Sequence, residues 1–247
     1  MDTRFWGPCG WRLLHLSVTA PLNGRDFNKI KEFFELLPYV LPCKFCRQSL
    51  SKYYSNRPIP DSYDKMNKWL YLIHNDVNDK LRSQNLLNQP NPPFEKVQDD
   101  YMKWSQSPCA SSTILGWDFL FSIANTTPSK SLHSSPIVEK WWNLIKEVFP
   151  FKPWKSAWEK GELTYGKAPV SNGKKAVLTW LFNIQKVICQ SMMEDTPYNS
   201  FSGLCKEVSA FSSGCGKAKT KSTKTCRAKK QSVREKLRKS RNLRNSA

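Results

Sequence analysis

Apolar residues recur at helical spacing along most of this chain. Trp11, Leu14, His15 and Val18 fall on one face of a first segment, and Phe27, Ile30, Phe33, Phe34 and Leu37 on one face of a second. Met66, Trp69, Leu70, Ile73, Val77 and Leu81 do the same further on. Turn-forming clusters separate these runs: Pro21-Leu22-Asn23-Gly24, Pro38 to Pro42, Pro58-Ile59-Pro60-Asp61 and Pro90-Asn91-Pro92-Pro93. Alternating patterns of the strand type are scarce. The pattern predicts an all-α chain built as a helical bundle.

The pattern also repeats. Pro42-Cys43-Lys44-Phe45-Cys46 aligns with Pro153-Trp154-Lys155-Ser156-Ala157, and Trp69-Leu70-Tyr71-Leu72-Ile73 with Trp180-Leu181-Phe182-Asn183-Ile184, both at an offset of 111. Gly10-Trp11-Arg12-Leu13-Leu14-His15 matches Gly116-Trp117-Asp118-Phe119-Leu120-Phe121 at an offset of 106. Two copies of one helical unit are expected, with a boundary between Cys109 and Ile114. Chance alignment of two helical segments of similar composition is the alternative. The second copy lacks the first copy's polar positions: Trp154 and Ala157 stand for the two cysteines, Phe121 for His15, and Gln185-Lys186 for His74-Asn75. The expected organisation is 1–110, 111–204, and a basic flexible tail over 205–247.

Composition sharpens this picture. The chain has 247 residues, 39% hydrophobic and 13% aromatic, enough to bury a sizeable core. No apolar run reaches membrane-spanning length, and the opening Met1-Asp2-Thr3-Arg4-Phe5-Trp6 lacks a secretory pattern, so the expectation is a soluble protein without a signal peptide. The net charge is +19, yet residues 206–247 carry 14 Lys/Arg against Glu207 and Glu235, which is +12 of that total. Such a tail attracts phosphates or acidic partners without sequence preference. Its one aromatic, Phe211, does not support base stacking.

The candidate chemistry lies in Cys43-Lys44-Phe45-Cys46 and the later His74-Asn75-Asp76-Val77-Asn78. Pro42 places the dithiol at the start of a helix, where peptide N–H groups, the helix dipole, Lys44 and Arg47 favour a thiolate. A lone CxxC also serves as half a zinc site or a thioredoxin-type centre. No second ligand pair and no βαβ pattern accompanies it, so no metal is expected. His74, Asn75 and Asn78 share one side of a helix starting near Ser62, and their donors and acceptors suit the edge of a planar heteroaromatic group. A solvated polar face is the ordinary alternative. Trp11 and His15, four apart, read alone as core aromatics. With the dithiol and the His-Asn helix they supply a stacking surface and a polar partner.

Trp11-x-x-x-His15, Cys43-x-x-Cys46, His74-Asn75-x-Val77-Asn78-x-x-Leu81 and Trp104-x-x-x-x-Cys109, in that order over residues 5 to 109, resemble the Erv/ALR family of FAD-linked sulfhydryl oxidases. The resemblance implies a four- or five-helix bundle holding FAD, followed here by a degenerate second unit. It implies that Cys46 lies beside the flavin, that Cys43 exchanges with substrate, and that Gly7, Trp11, His15, His74, Asn75, Val77, Asn78, Lys80 and Trp104 contact FAD. The implied reaction oxidises protein dithiols with molecular oxygen and releases hydrogen peroxide. Phe5-Trp6-Gly7-Pro8 looks most like the versions of large DNA viruses, which implies a virion or host-cytoplasmic setting and a homodimer.

Departures accompany the resemblance. The second, structural disulfide of cellular members would fall at Met66 and near Phe94, and neither position is Cys. Cys9 and Cys109 stand where some members tie subunits together. The family's shuttle disulfide has no motif here, although Cys205, Cys215 and Cys226 could serve as one or remain ordinary thiols. Two other classes stay open: an interaction protein with a vestigial site, and a polyanion binder acting through its tail.

Overall fold

The computed structural model describes residues 1–106, 116–127 and 135–211. Every regular element among them is helical. The helices are α1 (Thr3–Thr19), α2 (Phe27–Val40), α3 (Lys44–Asn56), α4 (Tyr63–Ser83), α5 (Phe94–Gln106), α6 (Trp117–Thr126), α7 (Ser135–Val148), α8 (Lys152–Tyr165), α9 (Gly173–Met192) and α10 (Phe201–Ala210), with a short 3₁₀ turn at Val170–Asn172.

Local chemistry sets the starts and stops. Asp2 and Asp26 cap α1 and α2 by accepting the Arg4 and Asn28 backbone N–H groups, which satisfies donors with no partner inside the helix. Pro21 prevents α1 from continuing past Ala20. Each helix then buries its apolar face: Ile30, Phe33, Phe34 and Leu37 from α2, and Met66, Trp69, Leu70 and Ile73 from α4. Burying one such side chain contributes about 1.5–3 kcal/mol.

The buried residues form one continuous core from Met1 to Val208. The series α6 to α9 follows the order of α1 to α4, and α7, α8 and α9 have 14, 14 and 20 residues against 14, 13 and 21 in α2, α3 and α4. Aligned tryptophans make the same bond in both series. Trp69 Nε1–H donates to the Arg57 carbonyl and Trp180 Nε1–H to that of Gly166, at 2.9 and 2.8 Å, each acceptor being the C-cap of the preceding helix.

The two series pack α1 on α6 and α2 on α7. At the first crossing the aligned glycines exchange equivalent contacts. A Cβ on Gly10 would lie 3.1 Å from Phe119, and one on Gly116 would lie 2.9 Å from Leu13, the residue aligned with Phe119. Exchange of this kind marks a local two-fold relation. Phe33 stacks on Trp141 at 5.1 Å across the second crossing. Arg25 binds the two series further, donating to the Ser17 and Ala20 carbonyls at the end of α1, to Tyr63 Oη on α4 and to the Val148 carbonyl on α7. Burial pushes its guanidinium pKa down.

A last described helix crosses the position at which the basic tail was expected to begin. Residues 201–210 form α10, because Ser200 caps the helix by accepting the Gly203 N–H and the i, i+4 pair Leu204 and Val208 is buried. The boundary between Cys109 and Ile114 and the rest of the tail lie outside the described residues.

Candidate active site

The dithiol lies at the junction of an extended turn and α3. Cys43 is the N-cap, and its sulfur accepts the Cys46 backbone N–H at 3.3 Å while the Arg47 N–H bonds its carbonyl at 3.0 Å. Arg47 fastens the turn by donating to the Leu41 carbonyl at 2.6 Å. A helix start thus points a peptide N–H at the thiol, an arrangement that favours negative charge on sulfur. Cys43 is buried at 2% exposure and Cys46 is half-buried. Cys43 is therefore the less accessible of the two thiols.

A second cluster occupies the space between α1, α4 and α5. His15 from α1 and His74 from α4 share a hydrogen bond between Nε2 and Nδ1 at 3.0 Å. Trp11 stacks on His74 with ring centres 3.9 Å apart, and Tyr101 stacks on His15 at 5.0 Å. Burial drives the His15 pKa down to about 3, with the neighbouring His74 adding to the effect, and burial alone lowers His74 to about 4. Both rings are therefore neutral near pH 7. Burial pushes the Tyr101 phenol up to about 12.

The remaining expected residues surround this cluster. Asn75 and Val77 are half-buried on α4. Asn78 Nδ2 donates to Asn91 Oδ1 at 3.0 Å, holding the approach to α5. Lys80 donates to Ser49 Oγ, joining α4 to the dithiol-bearing α3. Trp104 tilts against Tyr101 at 5.9 Å. Gly7 on α1 faces open space, with nothing within 4 Å of an added Cβ.

This arrangement fits a planar cofactor on two observations. The buried His15 Nδ1 has no hydrogen-bond partner among the described residues, a state that costs about 1–3 kcal/mol when it is left so. In addition, α5 packs on α1 and α4 yet buries none of its residues, leaving the apolar faces of Val97, Tyr101 and Trp104 half-covered. Rings and polar edges there suit a group that is both aromatic and hydrogen-bonding.

Tyr101 was missed by the sequence reading. Its position on one face of α5, four after Val97 and three before Trp104, is the signal that could have marked it. At the positions of the missing structural disulfide, Met66 is fully buried and Phe94 packs on Tyr71 with Lys68 over its ring. Cys9 directs its S–H to the Trp6 carbonyl. Among the described residues no group of three His, Cys, Asp or Glu could hold a metal ion, and no helix is long and apolar enough to cross a membrane.

A dithiol at the start of α3 and a ring cluster of Trp11, His15, His74 and Tyr101 from α1, α4 and α5 can be set against known families. Residues 8–102 match the Erv1/Alr family model. The matched segment takes in most of α1, all of α2 to α4 and most of α5, and includes Cys43, Cys46 and the Trp11, His15, His74 and Tyr101 rings. Within it the chain is similar to the mitochondrial FAD-linked sulfhydryl oxidase ERV1 of Saccharomyces cerevisiae, at 32% identity over 85 residues. That alignment takes in 33% of this chain and 45% of the yeast protein, so the match spans under half of the relative. No solved structure matches the chain.

Outside the matched segment the aligned positions look different. Trp154 and Trp158 are fully buried, and Ala157 is buried beside them. Phe121 is also fully buried, and both amide atoms of Gln185, the counterpart of His74, lack partners among the described residues. Indole rings fill this region, with Trp158 near Trp117, Phe149 and Trp180.

Proposed function

We propose that this chain is an FAD-dependent thiol oxidase that takes protein dithiols to disulfides, 2 R–SH + O2 giving R–S–S–R + H2O2. The observation that carries the reading is the ring cluster of α1, α4 and half-covered α5, whose buried His15 Nδ1 has no partner among the described residues, in the bundle whose α3 starts at Cys43-x-x-Cys46. Trp11, His15, His74, Asn75, Val77, Asn78, Lys80, Tyr101 and Trp104 would hold FAD, with Gly7 leaving room beside α1. When bound, FAD supplies an acceptor for the dithiol's electron pair and the chemistry with oxygen.

The chain's own work is thiol exchange. A substrate thiolate attacks Cys43 in the Cys43–Cys46 disulfide and Cys46 departs as a thiolate; the second substrate thiolate attacks the mixed disulfide and releases Cys43. The Cys46 N–H directed at the Cys43 sulfur stabilises the Cys43 thiolate released in the second step. Because Cys43 is buried, attack requires its cover to shift, so exchange at Cys43 is slower than at an exposed thiol.

Residues 111–204 complete the proposal as a degenerate copy whose aromatic filling leaves no room for flavin, so one FAD binds per chain. Helices α6 and α7 cover the faces of α1 and α2, and a homodimer would form through other surfaces. Virion proteins in a host cytoplasm as substrates rest on Phe5-Trp6-Gly7-Pro8 alone. The test is a visible spectrum of the purified protein, before and after dithiothreitol in air. Flavin bands that bleach and recover with peroxide release are expected, and a folded protein that takes up no FAD overturns the reading.

A further inference from the structure

Residues outside the matched segment pack at Cys43. The Met1 nitrogen donates to the Pro42 carbonyl at 3.4 Å, and one peptide bond joins that carbonyl to Cys43. Standard peptide dimensions then place Met1 N within about 7 Å of the Cys43 Cα. Met1 is itself buried at 5% exposure, next to a thiol residue at 2%. Contacts from two later helices hold Met1 and Asp2 in place. Asn125 Nδ2 on α6 donates to the Met1 sulfur at 3.2 Å. The Asp2 N–H donates to the Phe211 carbonyl at the end of α10 at 2.9 Å, and the Phe211 ring stacks on Phe5 at 4.4 Å. Met1, Asp2, Phe5, Asn125 and Phe211 all lie outside residues 8–102.

Met1 can lift without unwinding a helix. Asp2 is extended, with φ −71° and ψ 125°, and the bonds that start α1 follow it: the Phe5 N–H donates to the Asp2 carbonyl and the Arg4 N–H to the Asp2 carboxylate. Rotation of the backbone on the Met1 side of Asp2 therefore swings Met1 off Pro42 while the cap of α1 stays in place.

We infer that Met1 and Asp2 form a strap over Cys43 that Asn125 and Phe211 hold shut, so that helices beyond the matched segment set how fast a substrate thiol reaches the exchange cysteine. This rests on the thiol-oxidase reading for its function and adds regulation to that site. The closed strap keeps an attacking sulfur off Cys43. Attack draws on the open form, whose population falls with each contact that stabilises the closed one. Asn125 and Phe211 are positioning residues that act through Met1 and Asp2.

The test is iodoacetamide alkylation of the reduced, flavin-free full chain, followed cysteine by cysteine with mass spectrometry. Asn125→Ala should speed alkylation of Cys43 about fivefold, because the closed form loses one hydrogen bond. Phe211→Ala should speed it about tenfold through loss of the stack on Phe5, and Phe211→Tyr, which keeps the ring, should restore the wild-type rate. Cys189, buried at 4% exposure on α9, reports general loosening and should not change. Asn125→Ala trims one half-buried side chain and decides the matter even if Phe211→Ala loosens α10. An unchanged Cys43 rate in Asn125→Ala, or a Cys189 rate that rises as much, overturns the inference. With flavin bound, kcat/KM for a reduced dithiol peptide should rise in Asn125→Ala by the same factor as alkylation. Faster alkylation with unchanged kcat/KM overturns the strap's part in exchange. Faster alkylation in a protein that oxidises no dithiol defeats the oxidase reading instead and leaves the strap standing.

Discussion

Replacing His15 with Phe, the residue buried at the aligned Phe121, should make the protein less sensitive to mild acid. The folded His15 pKa is about 3 against 6.5 for the free side chain. Between these values the unfolded state binds a proton that the folded state does not, so stability rises with pH there and is lost as pH falls. At pH 5 the unfolded imidazole is almost fully protonated and gains about 2 kcal/mol from it, against about 0.2 kcal/mol at pH 7. His15 therefore removes about 2 kcal/mol of stability on going from pH 7 to 5, and the half-buried His74 adds to the loss.

The assay is urea unfolding followed by tryptophan fluorescence at the two pH values, on flavin-free protein. With a slope of about 3 kcal/mol/M, the wild-type midpoint should fall by about 0.7 M more than that of the His15→Phe variant over this interval. Carboxylate effects are common to both proteins and cancel in the comparison. Equal losses in the two would refute the claim that His15 is buried in its neutral form.

Other outcomes follow from single contacts. Cys46→Ser should retain flavin absorbance while losing at least about 100-fold in dithiothreitol oxidation, since a hydroxyl cannot form the disulfide; turnover near the wild-type rate counts against the dithiol's role. Gly116→Ala should cost about 2–3 kcal/mol in urea unfolding, because φ is +97° and the new Cβ meets Leu13 at 2.9 Å; an unchanged midpoint would contradict the close crossing of α1 and α6. Gly7→Ala should leave stability equal or higher by up to about 1 kcal/mol, since its Cβ meets nothing, while lowering flavin affinity measured by fluorescence quenching if FAD fills that space. Arg25→Met should cost about 2–4 kcal/mol, because the Val148 carbonyl loses the Arg25 donor and the Ser17 and Ala20 carbonyls are left to share the Tyr63 hydroxyl.

The helices themselves were legible without coordinates. Met66, Trp69, Leu70, Ile73, Val77 and Leu81 state their common face through spacing alone, and Pro42-Cys43 places the thiols at a helix start because proline and capping geometry act within one turn. The helix over residues 201–210 was hidden in a Ser-, Gly- and Lys-containing stretch. Its anchors, Leu204 and Val208, are only two residues, and their burial depends on α6 lying across them.

What the sequence determined by itself is local: an all-helical chain, a dithiol at a helix start, a polar His-Asn face on α4, a later stretch that aligns with the first and lacks those groups, and a strongly basic end. These follow from i, i+3 and i, i+4 periodicity, turn residues and charge, which act between near neighbours. Tertiary structure alone decided that His15 bonds His74 across 59 positions, that Tyr101 covers the pair, that Cys43 is the more buried thiol, and that Gly10 and Gly116 exchange contacts across a two-fold crossing. Burial and neutral imidazoles depend on which helices meet. That is a property of long-range packing, which periodicity along one helix does not encode.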